Sequence, residues 1–461
     1  MPAFLRWQPN QHRFANSTGS LTAPAQHDQR LNWHPHLWHP TTQVSTSPPP
    51  LQVSRARGCE LELADGRSLI DAISSWWVTL HGHGEPAIAA AIARQAQELE
   101  QVIFANFSHA PAEELATRLS QLTGLERLFF SDNGSTAVEV ALKMAWQWWR
   151  NQDGGADGGS PGVERRQLIA FSGAYHGDTF GAMAVGDRSL FTAAYEPLLF
   201  NVSRVAWPHT WWGDGEIEAK EEQALRDLEQ ALATPTAAVI LEPLIQGASG
   251  LRMVRPPFLR AVAARVSAAG ALLIADEVMT GFGRTGALFA CQKAGIQPDL
   301  MALSKGLTGG FLPMGVTMAS ERIYQGFISD RPTDTFFHGH SFTANPLGCA
   351  AALASLDLLE QTPERFQQFE GRHRPLLEHL CQHPAVHHPR CMGTVAAFEV
   401  DAGEASYLNP IGLQIQRHCL EQGVYLRPLG NVVYLLPPLG ISDQQLERCY
   451  GAITSALRAL L

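Results

Sequence analysis

The stretch Ala271-Leu-Leu-Ile-Ala-Asp-Glu-Val278 consists of five apolar residues, two acids and a valine. A continuous apolar run of this length is typical of a strand that is buried on both faces of a sheet. Similar runs lie along the chain at Arg127–Phe130, Gln167–Phe171, Ala237–Leu241, Leu300–Leu303 and Val316–Ala319. Helical patterns separate the runs, so the sequence predicts an α/β domain with a mostly parallel sheet and right-handed crossovers.

The segments on either side of this region predict a smaller α/β domain built from both ends of the chain. Residues Gly58–Ile70 alternate apolar and polar side chains around Asp65-Gly66, which is typical of a β-hairpin. Beyond the sheet region, Pro346–Leu359 has a helical pattern and Val432–Leu436 has a strand pattern. We therefore expect a large domain over 83–344 and a small domain formed by 31–82 and 345–461.

Two polar segments are expected to lack regular structure. Residues 1–30 are rich in Gln, Asn, Pro, Ser and Thr, which predicts a disordered tail. Asn151–Gly162 is rich in glycine, which predicts a flexible surface loop. The tail lacks the apolar centre of a secretory signal, which argues against secretion, whereas a transit peptide stays open.

The composition excludes several classes of protein. The chain has 34 basic and 44 acidic residues and a net charge of -10, the wrong sign for neutralising nucleic-acid phosphates. The 7 cysteines are scattered, which favours a reducing cytoplasm over a disulfide framework. No apolar run approaches the roughly 20 residues of a membrane span. We expect no nucleic-acid partner and no membrane segment.

Polar residues that directly follow the predicted strands are the first candidates for a ligand site, because ligands bind at the carboxyl ends of strands in open α/β sheets. After Arg127–Phe130, Gly134 and Ser135 precede a predicted helix. The free N–H groups of a helix start and the Ser135 hydroxyl suit an anion, typically phosphate. An ordinary turn with a helix cap is the alternative.

Three further strand ends carry side chains suited to cofactor chemistry. Asp276 ends the most apolar run, where a carboxylate can keep a pyridine nitrogen protonated; a pair with a buried arginine is the alternative. Lys305 follows Leu300–Leu303, and a half-buried lysine can form a Schiff base with an aldehyde; a solvated lysine is the alternative. Tyr175 follows Gln167–Phe171 and offers a ring for stacking.

Residues 276 to 286 read Asp-Glu-Val-Met-Thr-Gly-Phe-Gly-Arg-Thr-Gly, and Lys305 follows at the distance expected for a cofactor lysine. On this pattern, the chain from about Leu31 to its end resembles the class III aminotransferases. The resemblance implies a fold-type I transferase whose large domain has a mostly parallel, seven-stranded sheet. It also implies pyridoxal 5'-phosphate as cofactor and a ping-pong reaction in which Lys305 moves the proton.

Further stretches resemble the branch of this class that acts in biotin biosynthesis. They are Trp38-His-Pro40, Ser74-Ser-Trp-Trp77, Tyr175-His-Gly-Asp178, Phe337-His-Gly339, Leu426-Arg-Pro428 and Tyr434-Leu-Leu-Pro-Pro438. This resemblance implies transfer of an amino group from S-adenosyl-L-methionine to 8-amino-7-oxononanoate. It also implies a homodimer in which Gly339, His340 and Ser341 lie at the interface and the Ser341 hydroxyl reaches the cofactor phosphate of the neighbouring subunit.

The resemblance assigns three sets of site residues. The catalytic residues are Lys305, Asp276 and Tyr175. The cofactor-binding residues are Gly134, Ser135, Tyr175, Glu242, Asp276, Lys305, His340 and Ser341. The substrate-binding residues are Thr41, Trp76, Trp77, Tyr175, Lys305, Gly339 and Arg427, among which Trp76 forms an aromatic wall and Arg427 binds a carboxylate through its guanidinium fork.

The chain departs from this branch at three positions. Thr41 stands where a tyrosine is usual, and its shorter side chain loses that contact or replaces it through water. His340 and Ser341 stand where proline and threonine are usual; Ser341 keeps the hydroxyl.

Several alternatives stay open. Relatives that use lysine as the donor, ω-amino-acid or polyamine aminotransferases and aminomutases share this fold. A non-catalytic regulator built on the fold is a different class, but the acidic chain has no basic DNA-binding module. Cys381–Cys391 holds Cys and His side chains, but we interpret this segment as a solvated loop rather than as a zinc site, and we expect no metal.

Overall fold

The computed structural model describes residues 33–152, 164–403 and 406–461. The chain divides into two compact units at Gln52 and Val53. In the first unit, the described residues form turns, with Leu37 donating its backbone N–H to the His34 carbonyl at 3.2 Å. The predicted tail lies outside the described residues, as does the predicted glycine-rich loop except for Asn151 and Gln152, which end a helix instead. The predicted domain boundaries stay predictions.

The strands are β1 (Val53–Arg57), β2 (Glu60–Leu63), β3 (Ser68–Asp71), β4 (Arg127–Ser131), β5 (Gln167–Phe171), β6 (Ser203–Val205), β7 (Thr236–Leu241), β8 (Ile245–Gln246), β9 (Arg252–Met253), β10 (Leu272–Asp276), β11 (Leu300–Leu303), β12 (Gly315–Ala319), β13 (Val386–Met392), β14 (Val395–Val400), β15 (Val424–Tyr425) and β16 (Val432–Leu435).

The helices are α1 (Ser74–Trp77), α2 (Pro86–Glu98), α3 (Ala110–Thr123), α4 (Gly134–Gln152), α5 (Phe180–Val185), α6 (Ile217–Leu232), α7 (Pro256–Ala268), α8 (Ala290–Ala294), α9 (Glu321–Gln325), α10 (Pro346–Gln361), α11 (Glu364–Gln367), α12 (Phe369–Leu380), α13 (Ile411–Glu421) and α14 (Asp443–Leu460). Short 3-10 turns lie at Ala193–Leu198, Lys305–Thr308 and Pro332–Asp334.

A 7-stranded sheet in the order β4-β12-β11-β10-β7-β5-β6 forms the centre of the second unit. β12 runs antiparallel to both of its neighbours, whereas β11, β10, β7, β5 and β6 run parallel to one another. Every residue of β7, β10 and β11 is buried, because helices cover both faces of the sheet. The predicted α/β class and mostly parallel sheet are confirmed.

Helix α4 packs on this sheet, and its first residues form the candidate phosphate seat. α4 buries Val138, Ala141 and Ala145 against strand residues of the sheet. Burial of the Val138 side chain contributes about 1.5–3 kcal/mol, which helps to hold the start of α4 at the end of β4.

The two ends of the second unit meet in a smaller sheet. β3 pairs with β15 in parallel, with Ile70 opposite Val424 and Asp71 opposite Tyr425. β2 and β3 form the predicted hairpin, with Glu60 opposite Ile70. This pairing brings the segment that follows β3 next to the C-terminal part of the chain.

The expectation for Cys381–Cys391 was partly wrong, because Val386 to Met392 form β13, which pairs with β14. Within the described residues, no group of three or more His, Cys, Asp or Glu side chains is arranged to hold a metal ion. None of the helices in the described ranges combines the length and apolarity needed to cross a membrane.

Candidate active site

A pocket of about 650 Å³ opens at the carboxyl ends of the central strands. Its wall is formed by residues that follow β4, β5, β10 and β11, because parallel strands end at one edge of the sheet. The lining includes the sequence-predicted residues Gly134, Ser135, Tyr175, Asp276 and Lys305. The structure thus gathers at one place side chains that are up to 171 residues apart in the chain, from position 134 to position 305.

Lys305 directly follows Ser304, the residue after β11, and begins a 3-10 turn. Its φ of 40° lies in the left-handed region, which is strained for a residue with a Cβ. Burial lowers the pKa of the Lys305 amine, although the carboxylates of Asp276 and Glu242 act in the opposite direction. A lowered pKa increases the fraction of neutral amine, which is the form that attacks an aldehyde.

Asp276 ends β10 and is 4% exposed. Its Oδ2 accepts a hydrogen bond from Nδ1 of His176 at 2.7 Å, and its Oδ1 accepts one from the backbone N–H of Val278 at 3.1 Å. Both contacts orient the carboxylate at the edge of the pocket. His176 was not among the predicted site residues, although it follows Tyr175 directly, because no local pattern indicates which way its ring points.

Gly134 and Ser135 form the start of α4, as the anion-seat prediction requires. The Ser135 hydroxyl lies 2.7 Å from the Thr179 hydroxyl and accepts the Thr179 backbone N–H at 3.0 Å. A methyl group at Gly134 would lie 2.6 Å from Cγ1 of Val278. The helix start and the end of β10 are therefore too close for a side chain at position 134.

Glu242 is buried next to the pocket and ties two backbone segments together. Its Oε1 accepts the Tyr175 backbone N–H at 3.0 Å and its Oε2 accepts that of Gly247 at 2.8 Å. Burial raises the pKa of Glu242 to about 7, and the Asp276 carboxylate acts in the same direction. Burial also raises the pKa of the Tyr175 phenol, as does neighbouring Asp178, so Tyr175 lines the pocket as a neutral ring.

Trp76, Trp77 and Arg427 lie together beside the pocket. The guanidinium of Arg427 lies 4.6 Å from the centre of the Trp76 ring, and the Lys305 amine lies 5.2 Å from that of Trp77. The Trp77 indole N–H donates to the Tyr434 hydroxyl at 3.1 Å. The predicted substrate wall and the predicted carboxylate-binding arginine are thus neighbours.

Three predicted residues of the second unit do not line the pocket that contains Lys305. Gly339, His340 and Ser341 precede α10 and do not line the pocket that contains Lys305. The Ser341 carbonyl accepts a hydrogen bond from the Gln101 side chain at 2.9 Å. Thr41 belongs to the first unit. A role for these residues therefore stays a prediction.

Pyridoxal phosphate fits the side chains that are present. The pocket offers a lysine with a lowered pKa for the aldehyde and a carboxylate at a strand end for the ring nitrogen. It also offers a helix start with a serine hydroxyl for the phosphate. These three features are those that a phosphorylated pyridine aldehyde requires.

Comparison with known proteins points to the same chemistry. Residues 41–457 match the family model "Aminotransferase class-III". The chain is 58% identical to adenosylmethionine-8-amino-7-oxononanoate aminotransferase of Synechococcus elongatus, over 92% of this chain and 99% of that relative. It is 38% identical to the protein of the same name from Geobacter sulfurreducens, over 89% and 93%.

Solved structures agree in fold. The enzyme of that name from Methanocaldococcus jannaschii has a TM-score of 0.83 at 32% identity, covering 92% of this chain and 97% of that one. An amine transaminase from an uncultivated Pseudomonas species, solved with pyridoxal phosphate bound, has a TM-score of 0.83 at 29% identity, covering 93% and 98%. With its family model, its relatives and its pocket in agreement, the chain belongs to the class III aminotransferases.

Proposed function

We propose that this enzyme transfers an amino group from S-adenosyl-L-methionine to 8-amino-7-oxononanoate, giving 7,8-diaminononanoate for biotin synthesis. The observation that carries the proposal is the arrangement of Lys305, Asp276 and Ser135 around one pocket, with Trp76 and Arg427 beside it. The relatives from Synechococcus elongatus and Geobacter sulfurreducens are named after this reaction.

Pyridoxal phosphate supplies an aldehyde that takes up the amino group and a ring that withdraws electrons from the reacting carbon. The Lys305 amine, whose pKa burial lowers, moves a proton between the donor carbon and the cofactor carbon. Asp276, oriented by His176, keeps the pyridine nitrogen protonated. The start of α4 and the Ser135 hydroxyl hold the phosphate.

Selection of the acceptor is assigned to Trp76 and Arg427. The Arg427 guanidinium can donate two parallel hydrogen bonds to the acceptor carboxylate, and its stacking on Trp76 limits the directions in which it can point. Trp76 is 42% exposed, so its side chain is accessible to the aliphatic chain of the acceptor.

The active unit in this proposal is a homodimer in the cytoplasm. Phe337-His-Gly339 supports the homodimer because it resembles the interface stretch of the biotin branch, and Ser341 keeps the hydroxyl of the threonine that is usual there. Phe337 and Phe342, on either side of residues 338–341, are exposed. All 7 cysteines are described and none forms a disulfide, which agrees with a reducing compartment.

The test is an absorbance spectrum of the purified enzyme before and after S-adenosyl-L-methionine is added alone. We expect a band at roughly 420 nm that disappears with the donor and returns when 8-amino-7-oxononanoate is added. Lys305→Ala should lack both the band and its response, and it serves as the matched control.

Two outcomes would contradict parts of the proposal. If the band does not respond to S-adenosyl-L-methionine but responds to lysine, then lysine is the donor and the proposed acceptor stands. A band that responds to simple amines and returns with pyruvate, but not with 8-amino-7-oxononanoate, would point to a general amine transaminase.

A further inference from the structure

The residues that carry the two tryptophans adopt an unusual backbone. Ser74, Ser75, Trp76 and Trp77 have φ values of 52°, 45°, 68° and 74°. Trp77 donates its backbone N–H to the Ile73 carbonyl at 2.9 Å, so the segment forms one turn of helix. Because every φ is positive, the turn is left-handed, and it contains neither glycine nor asparagine to relieve the strain.

A left-handed turn of residues with side chains persists only where the surrounding structure holds it. Here a single buried carboxylate makes several of the restraints. Asp71, at the end of β3, accepts the Ser75 hydroxyl on Oδ2 at 2.7 Å and the Ile73 backbone N–H on Oδ1 at 3.2 Å. Nε2 of His83 donates to the same Oδ2 at 2.9 Å.

Asp71 is in the right charge state for this role. It has no solvent exposure, and burial raises the pKa of its carboxyl, but the hydrogen bonds from His83 and Ser75 outweigh burial and leave the pKa below its ordinary value. An ionised carboxylate accepts hydrogen bonds on both oxygens, and such charge-assisted bonds are stronger than neutral ones. Asp71 therefore holds the turn from one side.

The opposite side of the turn faces the active site. The Trp76 ring stacks with Arg427 at 4.6 Å, and the Trp77 ring lies 5.2 Å from the Lys305 amine. Arg284 donates to the Trp77 carbonyl at 3.3 Å, and the Ser74 hydroxyl donates to the Leu436 carbonyl at 2.8 Å. The left-handed geometry thus decides where both indole rings lie relative to Arg427 and Lys305.

We propose that Asp71 is a positioning residue for acceptor binding: through Ser75 and the Ile73 backbone it holds the left-handed turn that aims Trp76 at Arg427 and Trp77 at Lys305. Asp71 acts through the turn and does not touch the reacting atoms. The inference rests on the proposed function, because Trp76 and Arg427 are assigned there to the oxononanoate acceptor.

The test compares Ser75→Ala with Ser68→Ala in the holoenzyme. Each change removes one serine hydroxyl bonded to a carboxylate, since exposed Ser68 on β3 donates to Glu60 at 3.2 Å. We expect Ser75→Ala to raise the KM for 8-amino-7-oxononanoate by about five- to tenfold, the usual effect of one lost hydrogen bond. The kcat should stay within about twofold, and the band at roughly 420 nm should not change, while Ser68→Ala matches wild type.

A second variant, Asp71→Asn, keeps the side-chain shape but loses the charge. It should raise the same KM by more than about tenfold with the absorption band retained. An unchanged KM in Ser75→Ala would overturn the inference. A raised KM accompanied by a lower kcat and a lost absorption band would also overturn it, because such a combination indicates a residue with a merely structural role. If the wild-type enzyme has no activity on 8-amino-7-oxononanoate, the proposed function is wrong as well. If the wild type is active and Ser75→Ala has the same KM, only the positioning role of Asp71 is wrong.

Discussion

A methyl group added at Gly134 should weaken cofactor binding by a calculable amount. The Cβ of Gly134→Ala would lie 2.6 Å from Cγ1 and 3.0 Å from Cγ2 of Val278. Carbon atoms normally approach to about 3.5–4.0 Å, so the start of α4 and the Val278 side chain must move apart by about 1 Å. Val278 donates its backbone N–H to Asp276, so a shift of Val278 would also separate the predicted phosphate seat from Asp276.

The expected magnitude follows from the cost of overpacking. Insertion of one methyl group into a packed site costs typically about 1–3 kcal/mol, which corresponds to a loss of cofactor affinity of about 5- to 150-fold. Helix propensity alone predicts the opposite sign, because alanine is favoured over glycine in a helix by about 1 kcal/mol. The direction of the change therefore distinguishes steric overlap from propensity.

The assay is a titration of the cofactor-free enzyme with pyridoxal phosphate, followed by absorbance at roughly 420 nm. Gly371→Ala serves as a matched control, since Gly371 is also helical and a methyl group there meets no atom within 4 Å. Val278→Ala should largely rescue Gly134→Ala, because the nearest remaining contact is the Val278 Cβ at 3.4 Å. Wild-type affinity in Gly134→Ala, or losses that simply add in the double variant, would refute the reasoning.

Three further outcomes are expected. Arg427→Leu should raise the KM for 8-amino-7-oxononanoate about tenfold or more, because a charged hydrogen-bonding group contributes about 1.5–3 kcal/mol. The donor half-reaction, followed by absorbance, should change little. An unaltered KM would show that Arg427 does not bind the acceptor. His176→Phe removes the hydrogen-bond donor to Oδ2 of Asp276. In steady-state kinetics, kcat should fall by about tenfold or more, while the KM for the acceptor stays within about twofold of wild type. A changed KM with an unchanged kcat would contradict a role of His176 in orienting Asp276. Burial raises the pKa of Glu242 to about 7, so its protonated form stabilises the folded protein below the ordinary carboxyl pKa and this contribution is lost as the pH rises through about 7. The Tm of cofactor-free wild type should therefore fall more steeply between roughly pH 5 and pH 8 than that of Glu242→Gln, and equal slopes would show that Glu242 does not titrate there.

The strands of the central sheet were predictable because burial on both faces is a local requirement. A strand such as β10 must be apolar at successive residues, so it is recognisable in the sequence as a continuous apolar run. β6 was missed because it has only 3 residues and Arg204 stands in its middle. The antiparallel direction of β12 was not predicted either, because an apolar run has the same composition in both directions.

The types of reactive group in the pocket were also determined by the sequence. Gly134, Asp276 and Lys305 each follow a predicted strand, and parallel strands end at the same edge, so their approach to one another follows from the fold class. The sequence therefore predicts that a cofactor lysine, a ring acid and a phosphate seat lie together, and these roles stay predictions.

Only the tertiary structure decided how these groups are oriented. The hydrogen bond from His176 to Asp276 joins residues 100 positions apart, and that from Trp77 to Tyr434 joins residues 357 apart, so no local pattern encodes either bond. The left-handed turn at Ser74–Trp77 is the clearest case, because its residues have no preference for positive φ. Besides the local hydrogen bonds to Asp71, the turn depends on the Leu436 carbonyl, 362 positions from Ser74, and on Arg284, 207 positions from Trp77. Local backbone strain persists only where the surrounding structure offsets it.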